Sequence, residues 1–304
     1  MSQPPVQATQ PRILIPLALV TLIWGSTWLV IRDQLGVVPP SWSVAYRFLA
    51  AGLTMLAVAL WRRERMVLDG RGWMFAAALG LFQFCLNFNF VYRAEGYITS
   101  GLVAVLFALL LIPNAVFGRI FLGQRLGTQF IVGSVIGMSG VGLLMLYELR
   151  ADATGTGATA LGFLLTGAAI FSASAANIMQ AGETAKRYPM ATMLGWSMLI
   201  GVAFNAVFAF ATSGPPMFDW RAGYVLGVLY LGIAGSAVAF TLYFGVLRVI
   251  GPAKAAYSGV AVPVIAMLLS TVFEGYRWSL LAASGAVLAC IGLVVALRAR
   301  RPNR

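Results

Sequence analysis

The chain predicts an all-α integral membrane protein with ten transmembrane helices, arranged as two inverted five-helix repeats around a central cavity. Three observations carry this. Apolar types make up 60% of the 304 residues and charged types only 10%, against roughly 45–50% and about 25% in soluble domains. The basic residues alternate in density from one gap between apolar runs to the next. Two stretches of the first half recur in the second at a nearly constant spacing.

The apolar runs, read between charged or Gly/Pro breaks, are 13–31, 41–61, 73–92, 97–118, 127–147, 160–180, 190–212, 222–247, 252–273 and 278–298. Crossing about 30 Å of hydrocarbon takes roughly 20 apolar residues per helix, so ten helices leave only short loops. Barrel strands need about half that length and alternate with a period of two, which these runs do not. Ile13 to Ile31 is long enough to span and is followed by more spans, so it reads as a permanent first helix rather than a cleaved signal. The organisation expected is a cytoplasmic tail (1–12), a first repeat (13–150), a periplasmic connecting loop (151–159), a second repeat (160–298) and a basic cytoplasmic tail (299–304).

Placing both termini in the cytoplasm puts fifteen cations on the inner side and five (Arg32, Arg93, Arg150, Arg221 and Arg277) on the outer side, with Arg47 inside the second span. That asymmetry is the positive-inside pattern. It also accounts for the net charge of +12 without nucleic acid, since the cations are spread between apolar runs instead of forming one soluble patch. Cys85 and Cys290 fall within spans, where a thiol packs as a small apolar group, so no disulfide framework is expected. The chain has no histidine. This removes His metal ligands and Ser-His or Cys-His catalysis, weakens a membrane-enzyme reading, and leaves no cofactor or metal expected.

At an offset of 150, Pro113 falls on Pro263, Gln124 on Glu274, Ser134 on Ser284 and Gly142 on Gly292; at 147, Leu14 falls on Leu161, Leu17 on Leu164 and Trp24 on Phe171. Apolar helices resemble one another in general, but several matches at one spacing point to duplication. Because five is odd, the second copy enters the membrane inverted. Inverted-repeat membrane proteins typically bind solute between the halves near the midplane, which points to a carrier.

The Leu-Ile-Trp-Gly-Ser-Thr-Trp run at 22–28, the mid-helix prolines of the fourth and ninth spans, Leu-Gly-Gln-Arg-Leu at 122–126 and the glycine-rich fifth span resemble the EamA group of the drug/metabolite transporter superfamily. Within that group the chain is most similar to the bacterial aromatic amino acid exporters of the YddG type. The resemblance implies an inner-membrane carrier, multi-pass, with a central cavity built by both halves. One departure is Gln124, where the family usually has an acidic residue; the acid survives only as Glu274 in the second copy.

Polar side chains deep in a span avoid lipid and turn toward the protein interior or a wet cavity. On that basis the expected solute-binding residues are Trp24, Thr27, Gln83, Asn87, Asn177, Tyr243, Lys254 and Tyr257. Gln83 and Asn87, four apart, share a helix face, whereas Asn89 points elsewhere; the competing reading is a pair of interhelical hydrogen bonds. Trp28 and Trp42, near the outer surface, read as aromatic belt. Lys254 either snorkels to the headgroups or pairs with a substrate carboxylate. Arg47 is expected in a cavity, interhelical or gating role, Pro113 and Pro263 as hinges or static bends, and Tyr92, Arg93 and Glu95 in a loop ion pair or outer gate. Gly133-x-x-x-Gly137 and Gly223-x-x-x-Gly227 read as packing seams.

The function expected is a carrier that moves small amphipathic metabolites, aromatic or other apolar amino acids, out of the cytoplasm by alternating access. A multidrug or other metabolite exporter of the same fold, a lipid-handling or non-transporting membrane protein, and a membrane enzyme are the alternatives. Every acidic residue maps near a span end or loop, so facilitated diffusion, or coupling by an unusual route such as Lys254, is expected in place of a buried-carboxylate proton relay. The partners expected are a small-molecule substrate and the lipid bilayer, with no nucleic acid; the oligomeric state is left open.

Overall fold

The computed structural model describes residues 11–124, 127–151, 157–255 and 258–297, which are helical or in turns with no strand among them. Ten main helices follow the ten apolar runs: α1 (Pro11–Asp33), α2 (Pro40–Trp61), α3 (Gly70–Ala94), α4 (Ser100–Leu122), α5 (Thr128–Ala151), α6 (Ala158–Ala181), α7 (Met190–Ser213), α8 (Ala222–Ile250), α9 (Ser258–Phe273) and α10 (Leu280–Leu297). Among the described residues, eight helices are long and apolar enough to cross a membrane. The described apolar parts of the last two, Val262–Phe273 and Leu280–Gly292, are shorter.

Local chemistry sets several ends. Pro40 occupies the first turn of α2, where a missing N–H costs nothing. Gly123 closes α4 in the left-handed region at φ 65°, and Gln124 N–H reaches back to the Gly118 carbonyl at 3.1 Å. One shift from the sequence pattern is at the start of α4. Tyr97 and Ile98 continue the apolar run but lie in a turn, and the helix begins at Ser100, whose amide donates to Glu274 Oε2 at 3.1 Å. A carboxylate at a helix N-terminus is favourable, which gives Glu274 a structural role.

The helices pair in a regular way. α5 lies along α10, α2 along α7 and α4 along α9; α1 packs on α8 and α9 while α6 packs on α3 and α4. Exchanging the first five helices for the last five leaves this set of pairs unchanged. The α5–α10 seam is close because it is lined by glycine: a Cβ on Gly292 would stand 2.1 Å from Gly137 N, and one on Gly140 would stand 2.3 Å from Ala289 N. The Gly133/Gly137 motif is thus a packing seam within the fold, and Gly227 similarly meets Gln34 and Val30 of α1.

Two helices contain wide turns that the periodicity did not reveal. π-helix runs from Gly80 to Leu86 in α3 and from Ile233 to Val238 in α8. Each begins at or beside a glycine pressed on a neighbour's backbone: a Cβ on Gly80 would lie 2.6 Å from Ser197 O, and one on Gly232 2.8 Å from Arg47 O. Such bulges recur at functional sites. The prolines behave unequally. A 3₁₀ turn at Ala108–Leu110 precedes Pro113, whose ring crowds the carbonyl four residues back, whereas Pro263 sits inside the unbroken helix Ser258–Phe273.

Candidate functional site

The midsections of α1, α2, α3, α4, α6, α8 and α9 enclose a cavity of about 120 Å³. Its wall is mainly aromatic and aliphatic. Trp24 stands against Phe240 and Tyr243, with ring centroids 5.4 and 5.0 Å away, and its Nε1 donates to the Gly235 carbonyl in the π turn of α8 at 3.1 Å. A widened turn leaves such a carbonyl available to a side-chain donor.

Into this wall project a few polar groups. Gln83, in the π turn of α3, and Asn87, just beyond it, both line the cavity, and the Gln83 Oε1 and Asn87 Oδ1 atoms have no hydrogen-bond partner. Asn177 of α6 also lines it and donates to Asn114 Oδ1 at 3.3 Å. Arg47 is 1% exposed, its Nε donates to Ser236 Oγ at 2.9 Å, its guanidinium carbon stands 4.3 Å from the Phe88 ring centre, and its Nη1 has no partner. A buried cation held over a ring keeps part of its stabilisation after losing water.

Six of the sequence-predicted binding residues therefore share one cavity: Trp24, Thr27, Gln83, Asn87, Asn177 and Tyr243. Tyr257 and the side chain of Lys254 lie outside the described residues. Arg47 and Pro263 line the same cavity. Pro113 is buried in α4 and does not line it. Trp28 corrects the aromatic-belt reading, because it too lines the cavity and its ring meets that of Phe107 at a tilt, centroids 5.3 Å apart; depth along the helix did not reveal which way its side chain turned. Trp42 is likewise buried, donating to the Gly214 carbonyl at 3.3 Å. Asn89 points away, as its angle on the helix requires, into a buried set with Ser41, Cys85, Arg93 and Asn205.

Above the cavity, the bundle end carrying Asp33, Glu95 and Arg221 is sealed by buried side chains. Tyr92 donates to Gln34 Oε1 at 3.0 Å. Arg93 turns to Asn89 Oδ1 (2.7 Å) and Ser41 Oγ (2.9 Å), so the expected loop pair with Glu95 does not form. Arg32 donates to the Glu95 backbone carbonyl instead. The Glu95 side chain is fully buried with both oxygens lacking a hydrogen bond. That burial, together with nearby Glu274, pushes its carboxyl well above the usual range. Position at a span end did not reveal this, because the turn folds back under its neighbours.

The EamA-like transporter family model matches twice, at residues 12–146 and 160–298, and the chain belongs to this family. It is a multi-pass membrane protein of a transporter family. Protein PagO of Salmonella typhimurium is 24% identical over 95% of this chain and 93% of its own length. The uncharacterized inner membrane transporter YedA of Escherichia coli strain K12 is 29% identical over 84% of this chain and 80% of its own. The uncharacterized transporter YvbV of Bacillus subtilis is 24% identical over 95% and 93%. A crystal structure at 22% identity superposes with a TM-score of 0.68, covering 93% of this chain and 95% of that one, and shows the same fold. The names of these relatives carry no substrate, so the narrower likeness to aromatic amino acid exporters remains part of the proposal below.

Proposed function

We propose that this protein is a ten-helix carrier, with two inverted five-helix repeats, that moves aromatic or other apolar amino acids or similar small metabolites out of the cytoplasm by alternating access. The observation that carries the reading is the convergence of unpartnered Arg47 Nη1, Gln83 Oε1 and Asn87 Oδ1 on a cavity walled by Trp24, Phe240 and Tyr243. A carboxylate suits the guanidinium, an ammonium suits the amide oxygens, and an apolar side chain suits the rings. The two family matches and the exchange symmetry of helix pairs support the duplication. The fifteen-to-five distribution of cations supports cytoplasmic termini, and relatives named as inner membrane transporters support that membrane.

The volume of about 120 Å³ is small beside the roughly 300–1,000 Å³ of drug-sized pockets, which favours a metabolite over a multidrug substrate. Pro113 and Pro263 serve as the bending points of the two halves in this reading, and Tyr92 as part of the gate. Counterflow of an amino acid panel in proteoliposomes tests it. Transport of aromatic or aliphatic members, reduced in Asn87→Ala, Trp24→Ala and Lys254→Ala, is expected; absence of counterflow for the whole panel overturns the substrate class, and full transport in all three variants overturns the site.

A further inference from the structure

Five oxygen atoms without hydrogen-bond partners gather where α3, α4 and α9 meet: both carboxylate oxygens of Glu95, Oε1 of Glu274, and the hydroxyls of Thr99 and Ser100. The turn from Glu95 to Thr99 joins α3 to α4, and Glu274 is tied to α4 through Ser100 N. The two acids are not equivalent. Glu274 Oε2 receives both Ser100 N–H at 3.1 Å and Ser270 O–H at 2.7 Å. Glu95 receives nothing and is shut off from water. The charged or titratable groups acting on it are Glu274 from the end of α9, Arg32 of α1, Arg47 of α2 and, on its own helix, Tyr92.

A bare carboxylate in such a place is strongly disfavoured, and a group so placed takes up a proton instead. A metal cation would meet two arginines already acting on the site, whereas a proton adds a donor to a cluster that has only acceptors to offer from its acids. Water stands close by. An open groove of about 710 Å³ between α1, α8 and α9 reaches Arg32 and Glu274 but not Glu95.

We infer that Glu95 is a proton-binding site that latches this end of the bundle. With Glu95 as the neutral acid, the end is shut and the acid's O–H supplies the donor that Glu274 Oε1 lacks. When the end opens, water reaches Glu95 and the O–H bond breaks: the electron pair stays on the carboxylate and the proton passes to water by way of the groove. Closing reverses the step. The proton returns to the side it left, so the latch gates transport without driving it, and acid on that side holds the carrier closed. This goes beyond the solute-binding reading and does not depend on the identity of the solute.

The test is modification of a single cysteine in the purified full-length protein, in detergent without any solute. Cys85 and Cys290 are replaced by alanine, Ile98→Cys reports the buried turn, and Val37→Cys in an exposed loop supplies the intrinsic maleimide rate at each pH. Normalised labelling at 98 is expected to rise roughly tenfold from about pH 5.5 to about pH 8.5, as a carboxyl raised out of its usual range ionises. Glu95→Gln, neutral at every pH, should label slowly throughout, Glu95→Asp should keep the rise, and Glu274→Gln should move its midpoint to lower pH. A flat profile in the native sequence overturns the latch, as does an unchanged rise in Glu95→Gln. Should the glutamine variant fail to fold, a Glu274→Gln midpoint that does not move overturns it in the same way. A rise that follows sodium rather than pH assigns the cluster to a metal cation and also overturns it. Since no solute is present, failure here leaves the carrier reading standing, and failed counterflow leaves the latch standing.

Discussion

Arg47 and Ser236 are joined by a 2.9 Å hydrogen bond from the guanidinium Nε to the hydroxyl, and the Ser236 O–H in turn donates to the Leu231 carbonyl at 2.8 Å. The bond ties α2 to the π turn of α8 and aims the remaining guanidinium N–H groups along the cavity wall. Arg47→Lys replaces a planar fork by a single flexible ammonium. Transport is expected to fall sharply in that variant, and Ser236→Ala, which leaves a buried donor unpaired, should cost about 1–3 kcal/mol of stability. Counterflow and thermal unfolding measure the two; native transport by Arg47→Lys would remove the guanidinium from solute recognition.

Trp24 separates ring stacking from hydrogen bonding, since it does both. Trp24→Phe keeps an aromatic surface and loses the bond to Gly235, worth about 1 kcal/mol. Trp24→Ala loses both and leaves a cavity, a change that costs about 3–5 kcal/mol in well-packed interiors. The phenylalanine variant is expected to keep most of its maximal transport rate with weaker apparent affinity, and the alanine variant to lose transport. Equal behaviour of the two would show that the ring is not a solute surface.

The α5–α10 seam predicts a defect of stability without a defect of function. Gly292→Val places branched carbon against the Gly137 backbone, where even a single Cβ would approach to 2.1 Å. Overpacking of this kind costs about 1–3 kcal/mol. Folded yield and melting temperature are expected to drop, while transport per folded molecule stays at the native level. A loss of transport in well-folded Gly292→Val protein would mean that the seam moves during the cycle.

Asp69 caps α3 by accepting Gly72 N–H at 2.7 Å and also accepts Tyr188 O–H at 2.6 Å, tying the start of α3 to the segment before α7. These bonds, the one from Tyr188 foremost, hold the exposed carboxyl below its ordinary value of 3.8. The folded pKa is lower than the unfolded one, so this contribution is complete above the ordinary value and is lost as pH falls through the depressed one. Asp69→Asn should keep a helix cap and lose this acid-limb dependence of melting temperature. A native and a mutant profile that superpose below pH 4 would exclude the effect.

Composition and apolar run length made the helices legible, because a hydrocarbon surround admits few other backbone solutions. Gln83, Asn87, Trp24 and Asn177 could be named as cavity residues because polar or amphipathic groups at those depths have few other places to go. The π turns at Gly80 and Ile233 were not legible, since they depend on how closely α7 and α2 press on glycine backbones. Nor was the turn of Trp28 into the cavity, nor the sealing of Glu95, whose position in the sequence is that of an ordinary loop acid.

The sequence by itself determined where the chain is helical, which side chains cannot face lipid and how its cations are distributed. Only the tertiary structure decided that Ser236 holds Arg47 in the cavity wall, that Glu274 caps a helix, and that Glu95 stands dry between two arginines and a second acid. The physical reason is that apolar periodicity is a property of one helix against its surroundings. Desolvation and charge pairing are properties of several helices at once, and no single stretch of sequence encodes them.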